Sequence, residues 1–176
     1  MRWAKTMKLN SIPLFACGLL LGLASTVWAQ FAPENPDWKE SEAPPPFSFD
    51  RAKLVTFEVS PNSSLVYGVD PAAIQISKSD SLVRYVMVAV SASGASNVMY
   101  EALRCSTGEV KTYARHSADG GWKSVANPEW KSVYANMPSK HALRFARAGA
   151  CDNATVPASV DALISRLKDS SFGMTR

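Results

Sequence analysis

The run Leu82–Ser91 constrains this chain more than any other segment. Val83, Tyr85, Met87 and Ala89 occupy one face of an extended strand, and Leu82, Val86, Val88 and Val90 occupy the other. A strand that is apolar on both faces belongs at the centre of a sheet covered at least in part on both sides. Arg84 is the exception, and it needs a partner or a path to the rim.

Weaker strand signals surround it. Leu54–Val59 alternates partly and ends at Pro61-Asn62-Ser63-Ser64; Leu65–Tyr67 is a short piece, Val69-Asp70-Pro71 reads as a turn, and Ile74 and Ile76 follow. Val98–Cys105 and Glu109–Arg115 form a hairpin whose loop, Ser106-Thr107-Gly108, suits a type I turn with left-handed glycine. That geometry pairs Cys105 with Glu109, Leu103 with Lys111, Glu101 with Tyr113 and Met99 with Arg115. Asp119-Gly120-Gly121 is a further turn.

Two helices close the chain. Pro138-Ser139 offers an N-cap; Ala142, Leu143, Ala146 and Ala150 line one face, and Lys140, Arg144 and Arg147 the opposite one. Gly149 permits the stop. Val160, Leu163, Ile164 and Leu167 mark a second helix starting near Pro157 or Ser159. Strands first and helices last predict an α+β domain, an antiparallel sheet of about five to six strands with two C-terminal helices packed on one face.

The N-terminal segment sets the compartment. Arg2, Lys5 and Lys8 precede an apolar run from Leu14 to Val27, and Val27-Trp28-Ala29 is a small-x-small cleavage site. This layout predicts a signal peptide over residues 1–29, cleavage after Ala29 and a periplasmic protein without a transmembrane segment in the mature chain. The alternative is a lipoprotein anchored at Cys17, because Leu14-Phe15-Ala16-Cys17 has the outline of a lipobox. Cleavage at Ala29 is preferred, since Phe15 is bulky for that motif and most of the apolar run follows Cys17. Residues 30–52 read as a proline-rich acidic arm in which Trp38 can pin the chain by burying its ring. Residues 53–170 form the single domain and 171–176 a disordered tail.

Removing residues 1–29 of 176 leaves 147, and the net charge falls from +4 to +1 because the leader holds three cations and no acid. A nucleic-acid footprint is therefore absent. Charge is uneven: Gln30–Tyr100 carries five Lys/Arg against eight Asp/Glu, and Glu101–Arg147 carries eight against four. A solvated mixed surface is the simpler reading, and an anion-facing patch is the other. Cys105 and Cys151 remain as an even pair in an oxidising compartment, which predicts a disulfide. In the loop-entropy model it constrains the unfolded chain by about 4 kcal/mol.

Chemistry-bearing motifs are sparse. The sequence holds no Gly-x-Ser-x-Gly elbow, His-Glu-x-x-His pair, phosphate loop or dinucleotide fingerprint, and nothing in it calls for a metal or a cofactor. Its two histidines are His116 near a turn and His141 early in a helix. Glu101 is the most informative polar residue, because alternation places it beside Leu103 and Cys105 on a covered face. The register above offers Tyr113, Lys111 and Arg115 as partners, with Arg84 a further candidate. Lys111 and Arg115 cannot both be buried there, so either that face is open at the Met99 end or the register differs. A carboxylate so placed serves as a general acid, as an anchor for a cationic ligand, or as a structural group; the structural reading is preferred, since a second catalytic group is missing. Trp122-Lys123 and Trp130-Lys131 interleave aromatics with cations, a pattern that stacks on sugars but more simply packs. The candidate ligand-binding residues are Glu101, Tyr113, Arg104, Tyr100 and Trp122.

Asp37-Trp38-Lys39-Glu40, Val69-Asp70-Pro71, Arg84-Tyr85, Asn97-Val98-Met99-Tyr100-Glu101, Arg104-Cys105, Thr107-Gly108-Glu109 with Tyr113, and His141-Ala142-Leu143 before Cys151 occur in order. Together they resemble the CNP-like family, small exported proteins of betaproteobacteria filed under a cryptic neisserial protein. The likeness runs from about Asp37 to Lys168 and implies an exported single-domain envelope protein. It brings no activity, cofactor or catalytic residue. The expectation is a non-enzymatic binding or structural protein with an envelope protein or glycan as partner. The alternative is a small periplasmic hydrolase or glycan-processing enzyme using Glu101.

Overall fold

A computed structural model describes residues 35–117 and 119–172, without the side chains of 171 and 172. The expected leader, Cys17 and the end of the expected tail lie outside the described residues. Seven antiparallel strands form one meandering sheet: β1 (Val55–Phe57), β2 (Leu65–Ser77), β3 (Leu82–Ser91), β4 (Ser96–Arg104), β5 (Glu109–His116), β6 (Trp122–Ser124) and β7 (Lys131–Ser132). They lie side by side in chain order through β6, and β7 also pairs with β5. β3 sits centrally, as its two apolar faces require, and Leu82 to Val88 are buried without interruption.

The inner face carries Tyr67, Val69, Ile74, Val83, Tyr85, Met87, Met99, Leu103 and Val110. Two helical segments cover part of it: α1 (His141–Phe145), which widens into a π-helical turn at Ala146–Ala150, and α2 (Val160–Phe172). Phe145, Leu163 and Leu167 are fully buried against it, and each such side chain contributes roughly 1.5–3 kcal/mol. Gly149 ends the first helix with φ 138°, where a Cβ would stand 2.7 Å from the Cβ of Arg166. Only glycine fits that turn. Ser159 caps α2 by accepting from the Ala162 backbone N–H at 3.1 Å.

Cys105 and Cys151 form the expected disulfide, with Cα atoms 5.6 Å apart. The bond ties the end of β4 to the residue just after the π-helical turn.

The outer face carries Val86, Val88, Val98, Tyr100 and Ala114, and Phe47, Phe49 and Trp122 pack against it. Trp38 fastens the extended chain leading to Phe47: its indole N–H donates to the Asp80 carbonyl at 2.8 Å, and the Arg104 guanidinium lies 3.7 Å over its ring.

The structure corrects two local expectations. Val69-Asp70-Pro71 is an irregularity inside one long strand rather than a turn between short pieces, with the register shifting between Val69 and Ile74. Pro71 has no N–H to give the ladder, and the Asp70 carboxylate holds the irregular stretch by accepting from the backbone N–H of Asp50 at 2.7 Å and of Ala72 at 3.0 Å.

The β4–β5 register also differs. The connection has four residues, so Arg104 faces Glu109, Leu103 faces Val110, Ala102 faces Lys111 and Glu101 faces Thr112. A bulge between the Glu101 and Tyr100 pairs leaves Tyr113 without a direct partner, which restores Met99 opposite Arg115. One residue of slip exchanges the faces, so Lys111 and Tyr113 point to the outer side and away from Glu101.

Candidate functional site

Phe145, Leu163 and Leu167 of the helices pack into the core with Val83 and Leu103, while buried Ala89 and Met99 line a cleft. The cleft, of about 530 Å³, has Ala89, Met99 and Val110 on the sheet and Val125, Met137 and Pro138 among its apolar walls. That size falls within the range of about 300–1,000 Å³ typical of small-molecule sites. Arg115 and Lys131, both exposed, stand at it, as does exposed Glu129.

A chain of polar groups crosses from the core into this cleft. Glu101 is only 2% exposed. Tyr85 O–H donates to its Oε2 at 3.0 Å, Thr112 O–H donates to its Oε1 at 2.9 Å, and the His141 Nε2 lies 2.9 Å from Oε2. Burial alone would raise the Glu101 pKa, but the hydrogen bond and charge of His141, helped by Thr112 and Tyr85, outweigh it and hold the carboxyl below its usual range. Tyr85 moves the other way: burial, then the neighbouring carboxylate, push its phenol well above the ordinary value, so it stays a donor. Beyond the imidazole, His141 Nδ1 lies 3.1 Å from Ser139 Oγ, which is itself 3.1 Å from Tyr67 O–H. The Tyr67 and His141 rings stack at 4° with centroids 5.9 Å apart. Glu101, His141, Ser139 and Tyr67 all line the cleft.

The other four candidates lie on the opposite face. Tyr113 O–H donates to Glu40 at 2.6 Å; Lys111 and the Trp130 indole reach the other oxygen of that carboxylate at 2.7 and 3.3 Å. Tyr100 is 1% exposed beneath Phe47, and burial pushes its pKa up to about 12. Arg104 stacks on Trp38 and lies 3.5 Å from Glu109, while Trp122 packs edge-on against Phe49 and His116. The expected grouping of Glu101 with Tyr113, Arg104, Tyr100 and Trp122 is therefore divided by the sheet. Trp130, a possible sugar platform, packs at 75° against Trp38.

Of the partners expected for Glu101, none is used: Lys111 and Tyr113 serve Glu40, and Arg84 serves Asp80. Sequence reasoning missed Tyr85, Thr112, His141 and Ser139. Tyr85 shares a face with Met87 on the neighbouring strand, and His141 stands one helical turn before buried Phe145. Those two spacings were the available signals.

Among the described residues, no group of three or more His, Cys, Asp or Glu is arranged to hold a metal ion, and no helix is long and apolar enough to cross a membrane.

The CNP1-like family model matches residues 33–168, so the chain belongs to that family. No curated protein and no solved structure matches the chain.

Proposed function

We propose that this chain is an exported, non-enzymatic binding domain of the cell envelope whose cleft takes a small ligand with an apolar body. The cleft of about 530 Å³ beside Ala89, Met99 and Val110 carries this reading. Buried Ala89, Met99 and Val110 form an apolar floor to a space of ligand size, and Val125, Met137 and Pro138 add apolar walls. The leader layout of residues 1–29 and the Cys105–Cys151 bond, suited to an oxidising compartment, support an exported location.

The hydrolase reading with Glu101 as acid has less support. A general acid must hold its proton near neutral pH, whereas Glu101 is held below the usual carboxylate range with donors on both oxygens. Its role is to position His141 and close the inner end of the cleft.

Native mass spectrometry of protein purified from the exported fraction tests the proposal, with Ala89→Phe as the variant that fills the cleft. A co-purifying small molecule is expected on the natural chain and absent from the variant. A mass unchanged by mild and harsh activation in both, with no thermal shift from any amphiphile, would overturn it. N-terminal sequencing of the same material tests export: a start at Gln30 is expected, and a lipid-modified Cys17 would replace the soluble form with an anchored one.

A further inference from the structure

We infer that the ligand of the cleft is an amphipathic anion, one apolar chain carrying a single oxyanion head, held with its tail inward and its head between Arg115 and Lys131. The inference rests on the cleft-binding reading and adds the ligand's charge and orientation.

Two observations set the charge. Arg115 and Lys131 stand exposed at the cleft, and neither makes an ion pair or a side-chain hydrogen bond among the described residues. The neighbouring cation Lys123, opposite Arg115 in the β5–β6 ladder, is by contrast engaged with Asp119 at 3.6 Å. Exposed Glu129 also lines the cleft and makes no ion pair among the described residues, so the exposed lining carries two cations against one anion. A neutral ligand gives these cations nothing to neutralise, and a cationic ligand meets repulsion from both.

Two further observations set the orientation. The inner end is closed by Glu101, whose negative charge is satisfied by Tyr85, Thr112 and His141, so a second anion there would be both desolvated and repelled. The apolar part of the lining is Ala89, Met99, Val110, Val125 and Met137, which suits a hydrocarbon chain, and the neutral Asn97 and Asn127 stand beside it. Methionines at such a surface adapt to chains of differing shape. Head outward and tail inward is the arrangement that leaves no charge buried.

Isothermal titration of the exported protein with dodecanoate, dodecyl phosphate, dodecanol and dodecyltrimethylammonium tests the inference. These ligands share one tail, so the head alone varies. At low salt the two anions are expected to bind about five- to tenfold tighter than dodecanol, the scale of two partly exposed charge pairs, and the cation weaker than dodecanol. Added salt narrows the gap. The double variant Arg115→Gln/Lys131→Gln is expected to erase the anion preference, and because both side chains are exposed its melting temperature stays within a degree or so of the natural chain. A preference for dodecanoate over dodecyl phosphate, or the reverse, identifies which oxyanion is natural, and either supports the inference. Equal binding of dodecanol and the anions overturns the anion assignment and leaves the cleft reading standing. Absence of binding by all four, together with no ligand on the purified protein, overturns both. A dimer whose formation blocks ligand uptake gives the cleft to a second copy and also overturns both.

Discussion

The His141 imidazole lies 2.9 Å from the Glu101 carboxylate across the junction of sheet and helix, from residues 40 apart in the chain. This contact fixes where α1 begins relative to β4, and hence how far the helix advances over the inner face. Ser139 and Tyr67 extend it toward the cleft, so the same groups that dock the helix also shape one wall of the candidate binding site.

Glu101→Gln is expected to cost about 1–3 kcal/mol of unfolding free energy, measured by urea denaturation. An amide presents one acceptor and two donors where three donors converge, so at least one buried group loses its partner. Because the folded carboxyl titrates below its usual range, its contribution is present above the unfolded pKa of about 4.3 and is lost as pH falls through and below that value. An unchanged denaturation midpoint in the variant at pH 7 would remove Glu101 from the structural role assigned to it.

Asp80 supplies a sharper acid transition. Burial would raise its pKa, yet hydrogen bonds from Arg84, Ser41 and Ser77 bring it down to about 2. The folded pKa lies below the unfolded value near 3.9, so the stabilisation is complete above about pH 5 and disappears as pH falls from about 4 to about 2. The difference corresponds to about 2–3 kcal/mol. Asp80→Asn should lose that increment at pH 7 and flatten the acid limb of the stability curve; an acid limb as steep as that of the natural chain would show that another carboxylate governs it.

Trp38 and Glu40 lock the N-terminal chain onto the outer face through Asp80, Arg104, Lys111, Tyr113 and Trp130. Glu40→Gln combined with Trp38→Ala is expected to free the stretch that includes Phe47 and Phe49. Limited proteolysis should then cut between residues 41 and 50 severalfold faster, and a hydrophobic dye should bind the uncovered Tyr100 face. Equal protease protection in the double variant would mean that Phe47 and Phe49 alone hold the segment.

Replacing both cysteines, Cys105→Ala with Cys151→Ala, should lower stability by about 4 kcal/mol through the freed loop of the unfolded chain. The effect should appear at any pH at which the domain is folded, unlike that of Asp80. A loss under 1 kcal/mol would indicate that β4 and the π-helical turn are held mainly by packing around Phe145 and Leu103.

The sequence by itself determined the layers. Apolar residues on both faces of Leu82–Ser91 require a covered central strand, the spacing of Val160, Leu163, Ile164 and Leu167 requires a helix against it, and the pair Cys105 and Cys151 pointed to a disulfide. These follow from periodicity and from composition, which are local properties. Tertiary structure alone decided which side of the sheet each polar residue serves. Side-chain direction in a strand alternates at every residue, so the bulge at Tyr113 and the four-residue turn before Glu109 were enough to move Tyr113 and Lys111 from Glu101 to Glu40. No local pattern marks that slip, because it is settled by which register lets Trp38, Glu40 and Phe47 cover the outer face. The Glu101–His141 contact is likewise a product of chain path. Each residue looks ordinary in its own element, and only the docking of α1 on β4 removes water from both and makes their pairing favourable.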